Sequence, residues 1–431
     1  MLYRIIVSSV LILMTACVQE KEPPVQVVTI DDLALRYLHL ELSMGEQDPG
    51  HVDAYFGPEE IRVEAIEAAL SLDDITAASD KLAGELQALE TSGDVALEAR
   101  VKGLLARLLA LNTRIAMKQG EAISFDEEVL RLFATTLPHT DANYFDGVLQ
   151  EIDALLPGEE PLNERVDTFM NRFNIPADKL AVVMDAAIAE CRRRTVEFID
   201  LPADEHFTVE YVTDKPWGGY NWYQGDSVSL IQINTDLPSR ISSAVTLGCH
   251  EGYPGHHVYN TLLEQNLVKR KGWQEFSLYP LFSPQSLIAE GSGNYGVDLA
   301  FPDDERVEFE KRVLFPLAGL EPGTADDFYR LQELQARLNF SRNEAARNYL
   351  DGVANTEQTI AQIMKYSLKT RERAEKDLSF IDGYRSYIIN YNHGKAMVAA
   401  FIERDTDSPA ERWAKFETML STSVLPEDLE E

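Results

Sequence analysis

His250-Glu251-Gly252-Tyr253-Pro254-Gly255-His256-His257 places three imidazoles and a carboxylate in eight consecutive residues. Histidine is scarce elsewhere: the chain has 8, and the other five stand singly at His39, His51, His139, His206 and His393. Neutral imidazole is the commonest protein ligand for zinc, and a Glu directly after the first His can act as a base toward water activated at a metal. In the H-E-x-x-H arrangement the two His lie four apart on one helical face. Here the position four after His250 is Pro254. Proline has no amide proton for the helical bond and its ring crowds the carbonyl four residues back, so the helix has to widen or break. Gly255 then permits a sharp turn, which brings His256 beside His250 as though two residues had been looped out of a H-E-x-x-H helix. His257 is the rival second ligand. On an unbroken helix it shares a face with His250, but roughly 10 Å further along the axis.

Two imidazoles leave zinc under-coordinated, so a third ligand is expected from a second helix. Glu290 is the candidate, in Leu287-Ile288-Ala289-Glu290-Gly291-Ser292-Gly293-Asn294-Tyr295-Gly296. Three glycines and a serine around one carboxylate allow that helix to approach the first closely, and Asn294, one turn on, is placed to orient a ligand. On the N-terminal side of the motif, Ile241, Val245 and Gly248 pack a helix inward toward His250, with Ser239 as its cap. Phe207 to Val212 and Val228 to Asn234 alternate apolar with polar and read as two half-buried strands, separated by a turn-rich loop at Trp217-Gly218-Gly219-Tyr220.

Further out, the pattern from Asp31 to Ile199 is helix after helix. Leu97, Val101, Leu104, Leu108, Leu111 and Ile115 form one apolar stripe, opened by a turn and cap at Ser92-Gly93-Asp94. Leu180, Val183, Met184, Ile188, Cys191 and Val196 form a second, with Pro176 in its first turn. Arg192, Arg193 and Arg194 read as a solvated face with local acid partners. Thr324 to Asp327 resembles a capping box, starting a helix that runs through Phe328, Leu331, Leu334 and Leu338 toward Tyr349 and stops at Gly352.

At its start the chain has one basic residue, Arg4, then an apolar run from Ile5 to Met14 that is too short to span a bilayer, so residues 1–16 read as an export signal. Met14-Thr15-Ala16-Cys17 resembles a bacterial lipobox, which makes Cys17 the lipidated first residue of the mature protein, facing the periplasm and held to the membrane only by its acyl chains. Residues 17–29 have tether composition. Lys plus Arg is 39 against 72 acids, a formal net charge of -33. So acidic a surface repels nucleic acid and anionic lipid. With Cys17 set aside, two of the 3 cysteines remain. Cys191 and Cys249 read as buried free thiols, with Cys249 about a quarter-turn from His250.

The segment H-E-x-x-P-G-H-H resembles the signature of the bacterial family catalogued as domain of unknown function 885, itself distantly similar to zinc metallopeptidases of the thimet oligopeptidase and oligoendopeptidase type. Val228 to Asn234, Ala289-Glu290-Gly291 and Tyr391-Asn392-His393-Gly394 match in the same order, and Asp48 to Pro58 is a fainter echo. The resemblance implies a mainly α, multi-helix, zincin-like metallopeptidase fold with a small β-sheet beside the metal-binding helix and a central cleft. It implies a helical lobe over residues 30–200 and a metal-binding catalytic lobe over 201–431. It assigns Zn2+ to His250, His256 and Glu290, general-base work on peptide substrates to Glu251, and the oxyanion to Tyr391 with His393 second, while Tyr384 and Tyr387 compete for that role. It also makes Val228 to Asn234 an edge strand that takes extended substrate through Ile231, Ile233 and Asn234, an ordinary sheet strand being the other reading. Arg342, Arg347 and Lys395 are read as surface pairs rather than as holders of a substrate carboxylate. Two function classes follow: a zinc peptidase, and a non-catalytic exported lipoprotein that uses the same fold for binding or scaffolding.

Overall fold

The computed structural model describes residues 28–89, 91, 93–215 and 217–430, so the expected signal segment, Cys17 and nearly all of the tether lie outside the described residues. Among the described residues the chain is mainly helical with two small sheets. In the first half run α1 (Ile30–Gln47), β1 (Val52–Tyr55), α2 (Glu59–Ala68), α3 (Leu72–Gln87), α4 (Val95–Lys118), α5 (Phe125–Phe133), α6 (Ala142–Leu155), α7 (Leu162–Met170) and α8 (Leu180–Thr195). Their starts follow side-chain chemistry. Thr29 with Asp32 and Ser71 with Asp74 make reciprocal capping boxes for α1 and α3, and the Asp94 carboxylate accepts from the Leu97 amide to open α4. The stripe from Val101 to Ile115 on α4 is buried against α1 and α3, where it forms a core of its own.

The second half holds β2 (His206–Val212), β3 (Gly219–Gly225), β4 (Val228–Asn234), α9 (Ile241–Leu247), α10 (His256–Leu263), β5 (Leu278–Pro280) and α11 (Pro284–Ala300). Short helices α12 (Glu305–Phe309) and α13 (Phe315–Ala318) follow, then α14 (Ala325–Arg337), α15 (Ser341–Leu350), α16 (Thr356–Tyr366), α17 (Arg371–Tyr384), α18 (Ile389–Glu403) and α19 (Pro409–Leu420). The larger core draws on both sides of residue 200, from Phe125 and Met184 to Phe328 and Phe416, and it encloses the His-rich segment. Among the described residues no helix is long and apolar enough to cross a membrane.

The three-stranded sheet has the order β2-β4-β3, with β2 parallel and β3 antiparallel to β4. Both expected strands are present, but the segment read as a turn-rich loop leads into a third, β3. A tight turn at Gly225-Asp226-Ser227, all three with positive φ, joins β3 to β4. This corrects the expectation for β4. It is the central strand, its backbone groups are bonded to neighbours on both sides, and Ile231 and Ile233 are buried in the core. Asn234 spends its side-chain amide on the carbonyls of Lys215 and Trp217. Ile231, Ile233 and Asn234 therefore do not receive a substrate strand. The edge that faces the His-rich segment belongs to β3.

Other expectations also change. Cys191 on α8 and Cys249 are joined in a disulfide with their Cα atoms 5.4 Å apart; they are not free thiols. The helix before His250 begins at Ile241 without a cap from Ser239, and Thr324 caps no helix through its side chain. The helix expected to run on to Tyr349 breaks after Arg337 into α14 and α15, and the chain turns at Gly352 with φ +73°. Arg192 bonds Glu205, Arg193 bonds Glu190 and Glu197, and Arg194 bonds Glu190, as a face with local acid partners should.

Candidate metal centre and its cleft

The break forced by Pro254 takes a definite form. Helix α9 runs into one wide π turn over Gly248–Gly252, the Tyr253-Pro254 peptide is cis, and α10 starts afresh at His256. Gly255 is required at the crossing, because a Cβ there would lie 1.8 Å from the carbonyl oxygen of His250. The re-entry stacks the two rings edge to face, with centroids 4.6 Å apart. Glu290 arrives from α11, with Oε2 3.3 Å from Nε2 of His250 and Oε1 3.8 Å from Nε2 of His256. Close approach of α11 rests on Gly293, where a Cβ would sit 2.9 Å from Nδ1 of His250. Gly291 serves a different contact: its missing Cβ lets α11 cross α18 at Gly394, 2.5 Å from that carbonyl oxygen. Asn294 donates to the backbone carbonyl of Glu290 at 2.9 Å, an intrahelical bond that does not reach the carboxylate.

His257, the rival ligand, is turned away and wholly buried. Its ring lies 2.8 Å from the Ser229 hydroxyl and 2.9 Å from Glu205, which also accepts from the Tyr253 hydroxyl at 2.6 Å and pairs with Arg192. Glu205 and His257 thus clamp the loop whose other histidine faces Glu290.

The donor set fits a zinc ion. One ligand atom each from His250, His256 and Glu290 can be chosen so that all lie within 4.8 Å of one another. Tetrahedral donors at zinc bond lengths stand about 3.3 Å apart, close to the two separations above. The buried Glu290 Oε2 and His250 Nδ1 have no hydrogen-bond partner. A buried carboxylate oxygen without a hydrogen bond, facing an imidazole at 3.3 Å, suits a cation between the two. Burial works against the charged forms of both His250 and Glu290, yet their 3.3 Å ion pair and neighbouring charges prevail, holding His250 at about 9 and Glu290 below the usual carboxylate range. His256 is pushed down to about 4 by burial and by the His250 charge, so His250 and not His256 carries the proton that a metal ion would displace.

The three donors open on a cleft of about 520 Å³. Glu251 points into it. Burial lifts its carboxyl to about 7, with Glu290 and Asp53 adding to the effect and the His250 charge opposing it. Strand β3 holds this residue from the side: the Asn221 amide donates to the Glu251 carbonyl at 2.6 Å, and a Cβ on Gly219 would lie 2.8 Å from the Glu251 carboxylate. On the opposite wall stand Tyr384, Tyr387 and Tyr391. The Tyr387 hydroxyl is committed to Glu290 at 2.8 Å. Tyr391 packs edge-on to Tyr387 and is partly exposed; desolvation of its hydroxyl at the cleft, together with the Glu290 and Glu251 charges, keeps its phenol protonated as a donor. His393 does not join them. Two residues along α18 is a rotation of about 200°, and its ring faces the Thr135 hydroxyl at 3.3 Å, away from the cleft. Arg347 is tied to Asp126 and Glu344, Arg342 to Asp377, and Lys395 to Asp298.

Sequence reading overlooked Tyr220, Asn221 and Glu205. The alternation of Tyr220-Asn221-Trp222-Tyr223 before a Gly-Asp-Ser turn is a hairpin signal that would have found the first two. Glu205 carries no local signal.

No protein-family model matches this sequence, and neither does any curated protein. Among solved structures, a protein of Colwellia psychrerythraea described as a lipoprotein is similar at TM-score 0.50 and 15% identity, over 84% of this chain and 69% of that one. A Shewanella oneidensis protein, described as a lipoprotein of unknown function, gives TM-score 0.40 and 14% identity over 92% and 81%. At these identities the likeness to the Colwellia protein concerns the fold alone.

Proposed function

We propose that this chain is a zinc-dependent peptidase of the bacterial envelope, zincin-like in its fold, that hydrolyses peptide bonds with Glu251 as general base. One observation carries the reading: the donors of His250, His256 and Glu290 converge on a cleft into which the buried Glu251 carboxylate also points. Zinc in such a site supplies a Lewis acid and lowers the pKa of water at its open position. Glu251 takes a proton from the attacking water and returns it to the departing amine. The Tyr391 hydroxyl donates to the oxyanion that develops on the substrate carbonyl. Tyr387 keeps Glu290 oriented, and the free edge of β3 aligns an extended peptide through main-chain bonds that suit any sequence. The resemblance to the domain of unknown function 885 and to thimet oligopeptidase-type enzymes belongs to this proposal, as does lipidation at Cys17. The Cys191–Cys249 bond fits an oxidising compartment such as the periplasm.

A second reading is a non-catalytic lipoprotein that uses the fold for binding or scaffolding, and the description of the Colwellia protein favours it. One comparison separates the two. Protein beginning after Cys17 should carry near-stoichiometric zinc and cleave a mixed peptide library; Glu251→Gln should keep the zinc and lose roughly a hundred- to ten-thousand-fold in turnover. Turnover unchanged in that variant, or absent from zinc-loaded native protein, leaves the second reading.

A further inference from the structure

The cleft contains one carboxylate more than the hydrolytic chemistry uses. Asp53 on β1 lines it together with Glu251 and Glu290, and its side chain accepts from the Tyr220 hydroxyl at 3.1 Å. Tyr220 stands on β3 between Gly219, which abuts the Glu251 carboxylate, and Asn221, which holds the Glu251 carbonyl. Asp53 is thereby fixed close to the general base. A dication at the metal centre is balanced by Glu290 and Glu251, which leaves the charge of Asp53 over. Among the described residues Arg114 is the one Lys or Arg on the cleft wall, and it is spent: it bonds Asp48 at 2.7 Å and lies over the Phe282 ring at 4.0 Å.

A second feature points to what is missing. Asn221 is 7% exposed, gives its amide nitrogen to Glu251, and leaves Oδ1 buried without a partner on the same cleft wall. An amide oxygen and a carboxylate only accept hydrogen bonds, and an ammonium offers three donors. Burying Oδ1 of Asn221 unpaired costs free energy that a cationic ligand would recover. Burial accordingly lifts Asp53 to about 7, against the Tyr220 bond that lowers it. Asp53 and Tyr220 also line a neighbouring groove of about 480 Å³, so the bonded pair stands where the two cavities adjoin.

We propose that Asp53, with Oδ1 of Asn221, is the subsite for the free amino terminus of a peptide, so that the cleft is built for cleavage near that end and not near a carboxyl terminus. This rests on the peptidase reading of the metal centre. It is tested by calorimetric binding of tetra-alanine, N-acetyl-tetra-alanine and an N-acetylated peptide bearing one Lys, using zinc-loaded protein in the Glu251→Gln background so that no peptide is consumed. The free amino terminus should bind at least tenfold tighter than either acetylated peptide. Adding Asp53→Asn should bring that ratio close to one with zinc content unchanged, whereas Tyr220→Phe, which retains the carboxylate, should preserve it. Equal binding of the free and acetylated peptides, a ratio that survives Asp53→Asn, or no binding at all overturns the assignment. Preference for the Lys peptide over tetra-alanine overturns it too, by giving the site to a side-chain ammonium. Failure of the peptidase reading shows separately, as absent turnover in native zinc protein.

Discussion

The hydroxyl of Tyr387 donates to Oε1 of Glu290 at 2.8 Å, from the short 3-10 turn Arg385–Ile388 that leads into α18. The bond leaves Oε2 of the same carboxylate without a partner on the side of His250. Glu290 is thus held by one oxygen and offered by the other. Tyr387→Phe removes only the holding bond, so zinc affinity should fall about 10- to 100-fold. Competition against a chromogenic chelator measures it, and an unchanged affinity would show that packing alone orients Glu290.

The adjacent histidines give opposite phenotypes. His256 faces Glu290 across the cleft, and His257 is locked to Ser229 and Glu205 in the core. His256→Ala should lose stoichiometric zinc while the metal-free protein unfolds at nearly the native denaturant midpoint. His257→Ala removes one of the three partners of the buried Glu205, leaving Tyr253 and Arg192, and should cost about 1–3 kcal/mol of stability. Stoichiometric zinc in the His256→Ala protein would refute the donor set.

What was legible in the sequence follows from range. That His250, His256 and Glu290 come together was readable because Pro254 and Gly255 impose a local break, and because a glycine-rich stretch around Glu290 implies close helix approach. Helix starts at Thr29, Ser71 and Asp94 are local chemistry of the same kind. The position of β4 within its sheet was not readable, since a half-buried strand alternates in the same way at a centre and at an edge. The disulfide joins residues 58 apart in sequence through the packing of α8 on the π turn, which no spacing rule specifies. His393 was misplaced for a simpler reason: matching a motif as a string ignores that alternate residues of a helix point in nearly opposite directions.

That disulfide fastens α8 to the residue preceding His250. Closing a loop of this length stabilises by about 4 kcal/mol in the chain-entropy account. Cys191→Ser with Cys249→Ser should lower the unfolding free energy by a comparable amount, and reductant should reproduce the loss in native protein but not in the variant. Free thiols titrating in native protein purified without reductant would contradict the bond.

Gly219 is where the sheet meets the chemistry. A methyl group there would lie 2.8 Å from Oε1 of Glu251 and 2.8 Å from Cδ2 of Leu247, so either β3 retreats or the carboxylate turns. A proton-transfer group has to stay within hydrogen-bond reach of its water, and displacement by about 1 Å can cost about a hundredfold in rate. Gly219→Ala should therefore lower kcat at least tenfold while zinc content is retained, because none of the three donors touches the new methyl. Gly218→Ala is the matched control, since a Cβ there meets nothing within 4 Å. The two sites are one residue apart, Gly218 just before β3 and Gly219 its first residue, and both substitutions add the same methyl group. Only the approach to Glu251 differs, so equal kcat in the two variants would mean that β3 does not set the position of the general base.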